Sequence, residues 1–360
     1  ATRSQWTRTM SSPNMRAAGL GRSSACEAAN HKPRTTICEQ ALGVTSGRQR
    51  FLPLYAALLA GASGLWALQV GSVDIPAADV IRHLGGDDGS INDRIIDELR
   101  LPRALSAFAV GGLLALAGAL MQVLLRNPLG DPYVLGVSGG ASAAVLVAML
   151  MTLPAYWHTA AALAGALIST LLVFGITRRG DDWRGERLLL TGVVVAAGWS
   201  ALISFVLSVS PVTHLPGMLF WLMGDLADAT EPAIPLALLG AGLALALVRA
   251  RDLNIATQGL LQAAALGVDT RRLRLELYFL GALFTAAAVT TAGAIGFVGL
   301  ITPHLIRRLG GTDHRILLPS AVLTGGSLLL LADSAARTLI SPMQLPVGVL
   351  TAMIGVPVFL

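Results

Sequence analysis

Apolar runs long enough to cross a lipid bilayer recur from Phe51 to the last residue, and no other feature narrows the possible folds so far. A crossing needs about 20 mostly apolar residues. Runs that meet or approach this are Phe51–Gly71, Ala104–Leu125, Val134–Leu153, Thr159–Thr177, Leu188–Val209, Pro232–Val248, Leu275–Ala292, Ile316–Ala332 and Leu345–Leu360. A tenth, Ala294–Ile306, is shorter and is interrupted by Pro303. At that length a re-entrant helix packed inside protein competes with a lipid-facing span. Composition agrees: 54% of the residues are hydrophobic, 13% are charged, and the mean hydropathy is +0.67. A soluble domain needs more charge to cover its surface.

Loop charges decide the count. With the first apolar run entered from inside, the first external loop carries Asp74, Asp79, Asp87, Asp88, Asp93, Asp97 and Glu98 against three arginines. Arginines gather in the alternate loops, at Arg126, Arg178–Arg187, Arg249–Arg274 and Arg307–Arg308. That positive-inside bias holds along the whole chain only if Ala294–Ile306 also crosses. The expectation is an all-α membrane protein, a polytopic bundle of ten transmembrane helices at residues 51–360, with both termini cytoplasmic. Residues 1–50 differ: eight basic residues stand against Glu27 and Glu39, with no apolar run. They are read as a polar, disordered cytoplasmic arm, and Cys26 and Cys38 within it as incidental thiols without a zinc-site partner set.

Several function classes drop out. The only lysine is Lys32, in Asn30-His31-Lys32-Pro33, so the chain has no phosphate-binding P-loop and any ATP-driven work belongs to a partner. From Arg103 to Thr177 the ionisable residues are Arg126, Asp131 and His158, all at span ends. Proton- or sodium-coupled transporters place such groups within their spans, which disfavours an ion-coupled secondary transporter and equally an intramembrane hydrolase with a buried acid/base pair; a channel or ion-coupled transporter is the alternative of a different class. No catalytic set, metal site or cofactor is expected, and nothing suggests nucleic-acid binding.

Three polar features remain. Arg126-Asn127-Pro128-Leu129-Gly130-Asp131-Pro132 reads as a tight turn, with Arg126 at a helix C-terminus and Pro128 blocking continuation. Ser200, Ser204 and Ser208 share one helix face, where they either line a hydrated path or pack a neighbouring helix. Leu253–Arg274 is too polar to span; it docks a cytoplasmic partner or lies on the bilayer surface.

A resemblance sharpens these. Leu101-Pro-Arg103, the run Gly111 to Gln122, Arg126-Asn-Pro-Leu129, the run Gly296 to His304, Leu329 to Asp333 through Arg337, and Leu345 to Ala352 resemble the iron-chelate, haem and vitamin B12 import permeases of ABC systems. The resemblance implies a two-fold homodimer in the bacterial inner membrane, served by two cytoplasmic ATPase subunits that bind the ATP and magnesium and by a periplasmic binding protein. On matching positions it implies binding-protein docking at Arg100, Arg103 and Arg337, and an inner gate at Asn127, Leu129, Gly185 and Glu186. It favours Ser200, Ser204 and Ser208 as the translocation path, and implies ATPase coupling through 253–274, at Gln258, Gly267, Asp269 and Arg271. Gln258-Gly259-Leu260-Leu261 departs from the acidic pair frequent in relatives. Haem is the first cargo expected, from the likeness of Phe220–Leu226 to haem permeases; ferric siderophores come next and cobalamin is the alternative. His214 is the candidate side chain for touching haem iron.

Overall fold

The computed structural model describes residues 51–71, 75–85, 91–178, 185–340 and 343–359. The expectations for residues 1–50, including both cysteines, lie outside them.

Among the described residues all regular structure is helical. In chain order the helices are α1 (Leu52–Gln69), α2 (Ala77–Gly85), α3 (Ile91–Ile95), α4 (Leu101–Leu125), α5 (Val137–Leu150), α6 (Tyr156–Thr177), α7 (Gly185–Val209) and α8 (Leu215–Met223). Then follow α9 (Ala233–Val248), α10 (Ala250–Gln258), α11 (Leu260–Ala265), α12 (Thr270–Ala292), α13 (Val298–Arg308), α14 (His314–Thr338) and α15 (Val347–Phe359). A π-helical turn, Ile96–Arg100, joins α3 to α4.

Six of these are long and apolar enough to cross a membrane, counting α3 to α4 as one, and the pair α9 and α10, bent by 60°, makes a seventh. The chain is a membrane protein. The apolar runs at α5, α13 and α15 are helical but shorter, with 14, 11 and 13 residues. At about 1.5 Å per residue, α13 rises only about 16 Å.

The cause of that shortness is visible. Gly293 at φ 69° ends α12, and the chain is unwound until Phe297, at φ 71°, starts α13. Unwound backbone within a bundle must be satisfied by protein. Here the Tyr133 hydroxyl donates to the Ile295 carbonyl at 2.8 Å and accepts from the Ile295 N–H at 3.0 Å, while Asp225 N–H donates to the Ala292 carbonyl at 3.0 Å. The stretch between the expected runs Leu188–Val209 and Pro232–Val248 also contains structure: α8 seats Met218 against Leu146 and Val206.

At the centre stands α4, with 20 of its 25 residues buried. It is packed by α14, α12, α13 and α9. Glycine makes this closeness possible: a Cβ on Gly118 would lie 2.8 Å from the Gly299 Cα of α13, and one on Gly111 would lie 2.9 Å from the Gly325 carbonyl carbon of α14. Small residues at helix contacts let backbones touch where lipid supplies no hydrophobic drive. In contrast, α7 buries only Leu188, Gly192 and Val206.

Beyond the N-terminal end of α4, Val80 of α2 packs with Leu68, Ile75 and Ile96 in a small separate core. His83 clamps this cap: Nδ1 lies 2.9 Å from an Asp93 oxygen, and Nε2 lies 3.0 Å from one of Asp97. Burial works against the imidazolium, but the hydrogen bonds and charges of Asp97 and Asp93 outweigh it and raise the pKa above the usual 6.5. A raised histidine stabilises fully below its unfolded value and loses that contribution as pH rises through the folded one. Protection of α2 amides against hydrogen exchange, corrected for intrinsic rates, is therefore expected to fall as the pH rises above about 6.5, and His83→Ala to abolish the dependence.

Candidate functional site

Polar groups concentrate at the two ends of α4. At its N-terminal end Asp333 of α14 is fully buried between two arginines. Arg103 Nη2 donates to one carboxylate oxygen at 2.8 Å, and its Nε reaches both, at 3.2 and 3.1 Å. Arg337 Nε lies 3.3 Å from Asp333 Oδ2, and Nη2 donates to the Ser334 hydroxyl at 3.3 Å. The two arginine side chains are 13% and 12% exposed, so two positive charges share one carboxylate near the surface.

Arg100, at the same end of α4, is covered more deeply. It is 5% exposed, and its Nη1 donates to the Leu68 and Gln69 carbonyls at 2.7 and 2.8 Å. A cation there satisfies carbonyls left open at the C-terminus of α1.

At the other end α4 stops at Arg126, whose left-handed backbone (φ 50°, ψ 36°) turns the chain. The Leu129 N–H donates to Asn127 Oδ1 at 2.9 Å, an Asx turn that holds Leu129 exposed. Gly185, the first residue of α7, abuts this end: a Cβ there would lie 3.6 Å from the Leu125 carbonyl. Glu186 beside it is exposed. The four expected gate residues thus come from two segments that meet at the end of α4.

The three serines follow along α7, all exposed, and Ser204 donates back to the Ser200 carbonyl at 3.0 Å. The segment 253–274 forms most of α10, all of α11 and the start of α12. Gly259 (φ 144°) breaks α10 from α11, and Gly267 (φ 82°) lies in the turn before α12 with nothing within 4 Å of a Cβ placed on it. Gln258, Gly267, Asp269 and Arg271 are all exposed. Asp269 caps α12, accepting from the Arg271 and Arg272 N–H groups at 3.1 and 3.0 Å. Sequence reasoning missed the two bare leucines here: Leu261 is 89% exposed, and Leu266 is also open. An ion network, Arg249 to Glu276 at 2.8 Å and Arg272 to Glu276 at 3.0 Å, ties the end of α9 to α12.

His214, at the start of α8, is half-buried and its Nδ1 has no hydrogen-bond partner among the described residues. No group of three or more His, Cys, Asp or Glu is placed to hold a metal ion among the described residues.

The model of the FecCD transport family matches residues 57–360. The chain is 42% identical over 270 residues to the hemin transport system permease protein of Yersinia pestis, covering 73% of this chain and 80% of that one. It is 41% identical over 273 residues to the cobalamin import system permease protein of Halobacterium salinarum, covering 74% and 72%. Among solved structures it is similar to a metal-chelate type ABC transporter in an inward-facing conformation, with a TM-score of 0.76 and 31% identity over 85% of this chain and 96% of the other.

Proposed function

Because this chain belongs to the FecCD transport family and is a permease of an ABC importer, we propose that it moves an iron-containing chelate inward by alternating access, haem ahead of a ferric siderophore. In this reading two copies of the ten-helix chain enclose the path in the bacterial inner membrane with both termini cytoplasmic. Two ATPase subunits bind the cytoplasmic side and a binding protein delivers cargo from the periplasm. The observation that carries the reading is the polarity of α4: an arginine pair near the surface at one end, a loop-and-helix constriction at the other. The similarity to a hemin permease supports haem as cargo, and the nearly equal similarity to a cobalamin permease keeps cobalamin as the second reading.

In this arrangement Arg103 and Arg337 offer excess positive charge to carboxylates on the binding protein, while Arg100 is spent on α1. Leu261 and Leu266, with Gln258, Gly267, Asp269 and Arg271 around them, form the ATPase contact. The test is import into proteoliposomes holding the permease, its ATPase and the binding protein, with hemin, a ferric siderophore and cobalamin as separate cargoes. Hemin uptake driven by ATP, absent without the ATPase, is the expected result. Uptake of cobalamin alone would replace the cargo; uptake along an ion gradient without ATPase would replace the mechanism.

The path assignment has its own test. Successive cysteines at Ser200, Ser204 and Ser208 are about 40° apart, so the three span about 80° of one face over two turns. They are expected to react with water-soluble thiol reagents in a pattern that ATP and the binding protein change, whereas a cysteine at buried Val206 stays unreactive. Leu202 is itself exposed and is no control. Equal labelling at the serines and at Val206 would remove the path assignment.

A further inference from the structure

A polar network that sequence reasoning did not anticipate runs between α10 and the end of α4, at the level of the expected gate and coupling segments. It begins at Asn254 of α10. Its Nδ2 donates to Asp313 Oδ1 at 2.7 Å, and its Oδ1 accepts from the His314 backbone N–H at 2.9 Å and lies 2.6 Å from His314 Nδ1. A carboxylate on one side and a backbone N–H on the other leave the amide a single orientation. Because the amide oxygen faces Nδ1, that nitrogen carries the proton and Nε2 is left with its lone pair. Nε2 is buried without a hydrogen-bond partner among the described residues.

Asp313 and His314 open α14: the carboxylate caps it, accepting from the Arg315 N–H at 2.9 Å. The helix α13, which carries Arg307 near its end, packs against α14. Arg307 Nη1 in turn donates to Gln122 Oε1. Gln122, buried in α4, uses its other end on α13, Nε2 donating to the Leu300 carbonyl at 3.2 Å. Its own carbonyl accepts from the Asn127 N–H at 3.2 Å, at the base of the loop that presents Leu129. Side chains thereby join α10 to α14 and α13 to α4 with the loop of the expected gate, and the two halves meet where α13 packs on α14.

We propose that Asn254 is the positioning residue that transmits movement of the coupling segment to the gate loop, through Asp313 and His314, Arg307 and Gln122. The proposal rests on the importer reading given above. Its chemistry is orientational: Asn254 offers a donor to Asp313 and an acceptor to His314 at once, so a shift of α10 relative to α14 breaks one of them. Hydrogen bonds held away from bulk water move as a unit or break at a cost.

The experiment exploits that donor–acceptor order. Asn254→Asp keeps the acceptor for His314 but sets a carboxylate against Asp313. Adding Asp313→Asn restores each pairing with the roles exchanged, since the amide introduced at the start of α14 would donate to the new carboxylate and still cap the helix. The readout is ATP hydrolysed per cargo imported in the reconstituted complex, normalised to assembled permease so that lost protein does not count. N254D is expected to raise that ratio about two-fold or more, and N254D/D313N to return it towards the wild-type value. Gln122→Leu, at the far end, is expected to raise it as well, and the variant combining Gln122→Leu with N254D to fall short of the product of the separate effects. A wild-type ratio in N254D, a double variant N254D/D313N no better than N254D, or effects that simply multiply would overturn the proposal. If the unaltered complex itself showed no ATP-driven import, the importer reading would fail instead, which a normal unaltered complex with a silent N254D would not imply.

Discussion

Asp333→Ala is expected to destabilise the folded permease by about 3–5 kcal/mol, measured by titrated unfolding in mixed micelles. The size follows from what the mutation leaves behind. Asp333 is fully buried, and the side chains of Arg103 and Arg337 are little exposed. Removing the carboxylate strands two guanidinium groups beside one another without their counter-charge, in a setting where water reaches them poorly. Taking out the whole cluster is a different matter. A triple variant, Arg103→Met with Asp333→Leu and Arg337→Met, is expected to recover most of the loss, since apolar groups of similar volume carry no desolvation cost. The same triple variant is expected to lose binding-protein affinity, which separates the structural role of the cluster from the docking role proposed for it. A single Asp333→Ala with wild-type stability would show that water, not Asp333, satisfies the arginines.

The second large effect is expected at Gly118. Its Cα faces the backbone of Gly299, and an added Cβ would sit 2.8 Å from the Gly299 Cα. The α13 side is as tight, since a Cβ on Gly299 would meet the Leu114 carbonyl oxygen at 2.7 Å and the Pro132 ring at 3.0 Å. Gly118→Ala is expected to cost about 3 kcal/mol or more, at the upper end of overpacking changes, and Gly118→Val to prevent recovery of folded protein. Gly198 of α7 and Gly175 of α6 have nothing within 4 Å of a Cβ and serve as matched controls. Alanine at either is expected to be neutral or to stabilise, by up to about 1 kcal/mol from helix propensity. Measured yields of monodisperse protein and unfolding midpoints for the four variants would rank them. A tolerant Gly118 would show that α4 and α13 do not meet backbone to backbone.

What can be read from residues alone follows the physics of each feature. Apolar runs are strong signals, because lipid-compatible length and hydrophobicity lie in the run itself; α1, α6, α7 and α12 begin and end close to where their runs do. The break before α13 cannot be read that way. Ala294 to Phe297 is as apolar as a helix, and its unwinding depends on the hydroxyl of Tyr133, far away in the chain. For the same reason α8 reads as loop: nine residues cannot span, and only the surfaces of Leu146 and Val206 explain why Met218 is helical and buried.

The site residues divide similarly. Local chemistry makes the Arg126–Asp131 turn legible, through Pro128 and the Asn127 Asx geometry. The neighbourhood of Gly185 with Leu125 comes only from the resemblance to known permeases. Arg100 shows the converse limit. Its place at the outer end of a span suggests an exposed arginine, but the carbonyls of Leu68 and Gln69, over thirty residues earlier, hold it inside. Asn254 carries no signal of its own, since an asparagine in a short polar helix reads as solvated until Asp313 and His314 arrive beside it.

The contrast between α4 and α7 bears on how such a chain can diverge. Nearly every position of α4 answers to protein on all sides, so a substitution there must be matched by another on α14, α13, α12 or α9 in the same lineage. The α7 surface answers to few internal neighbours, and single replacements along it carry little penalty to folding. Replacements can therefore accumulate along α7 one residue at a time, while a change in the central helix calls for a second one beside it.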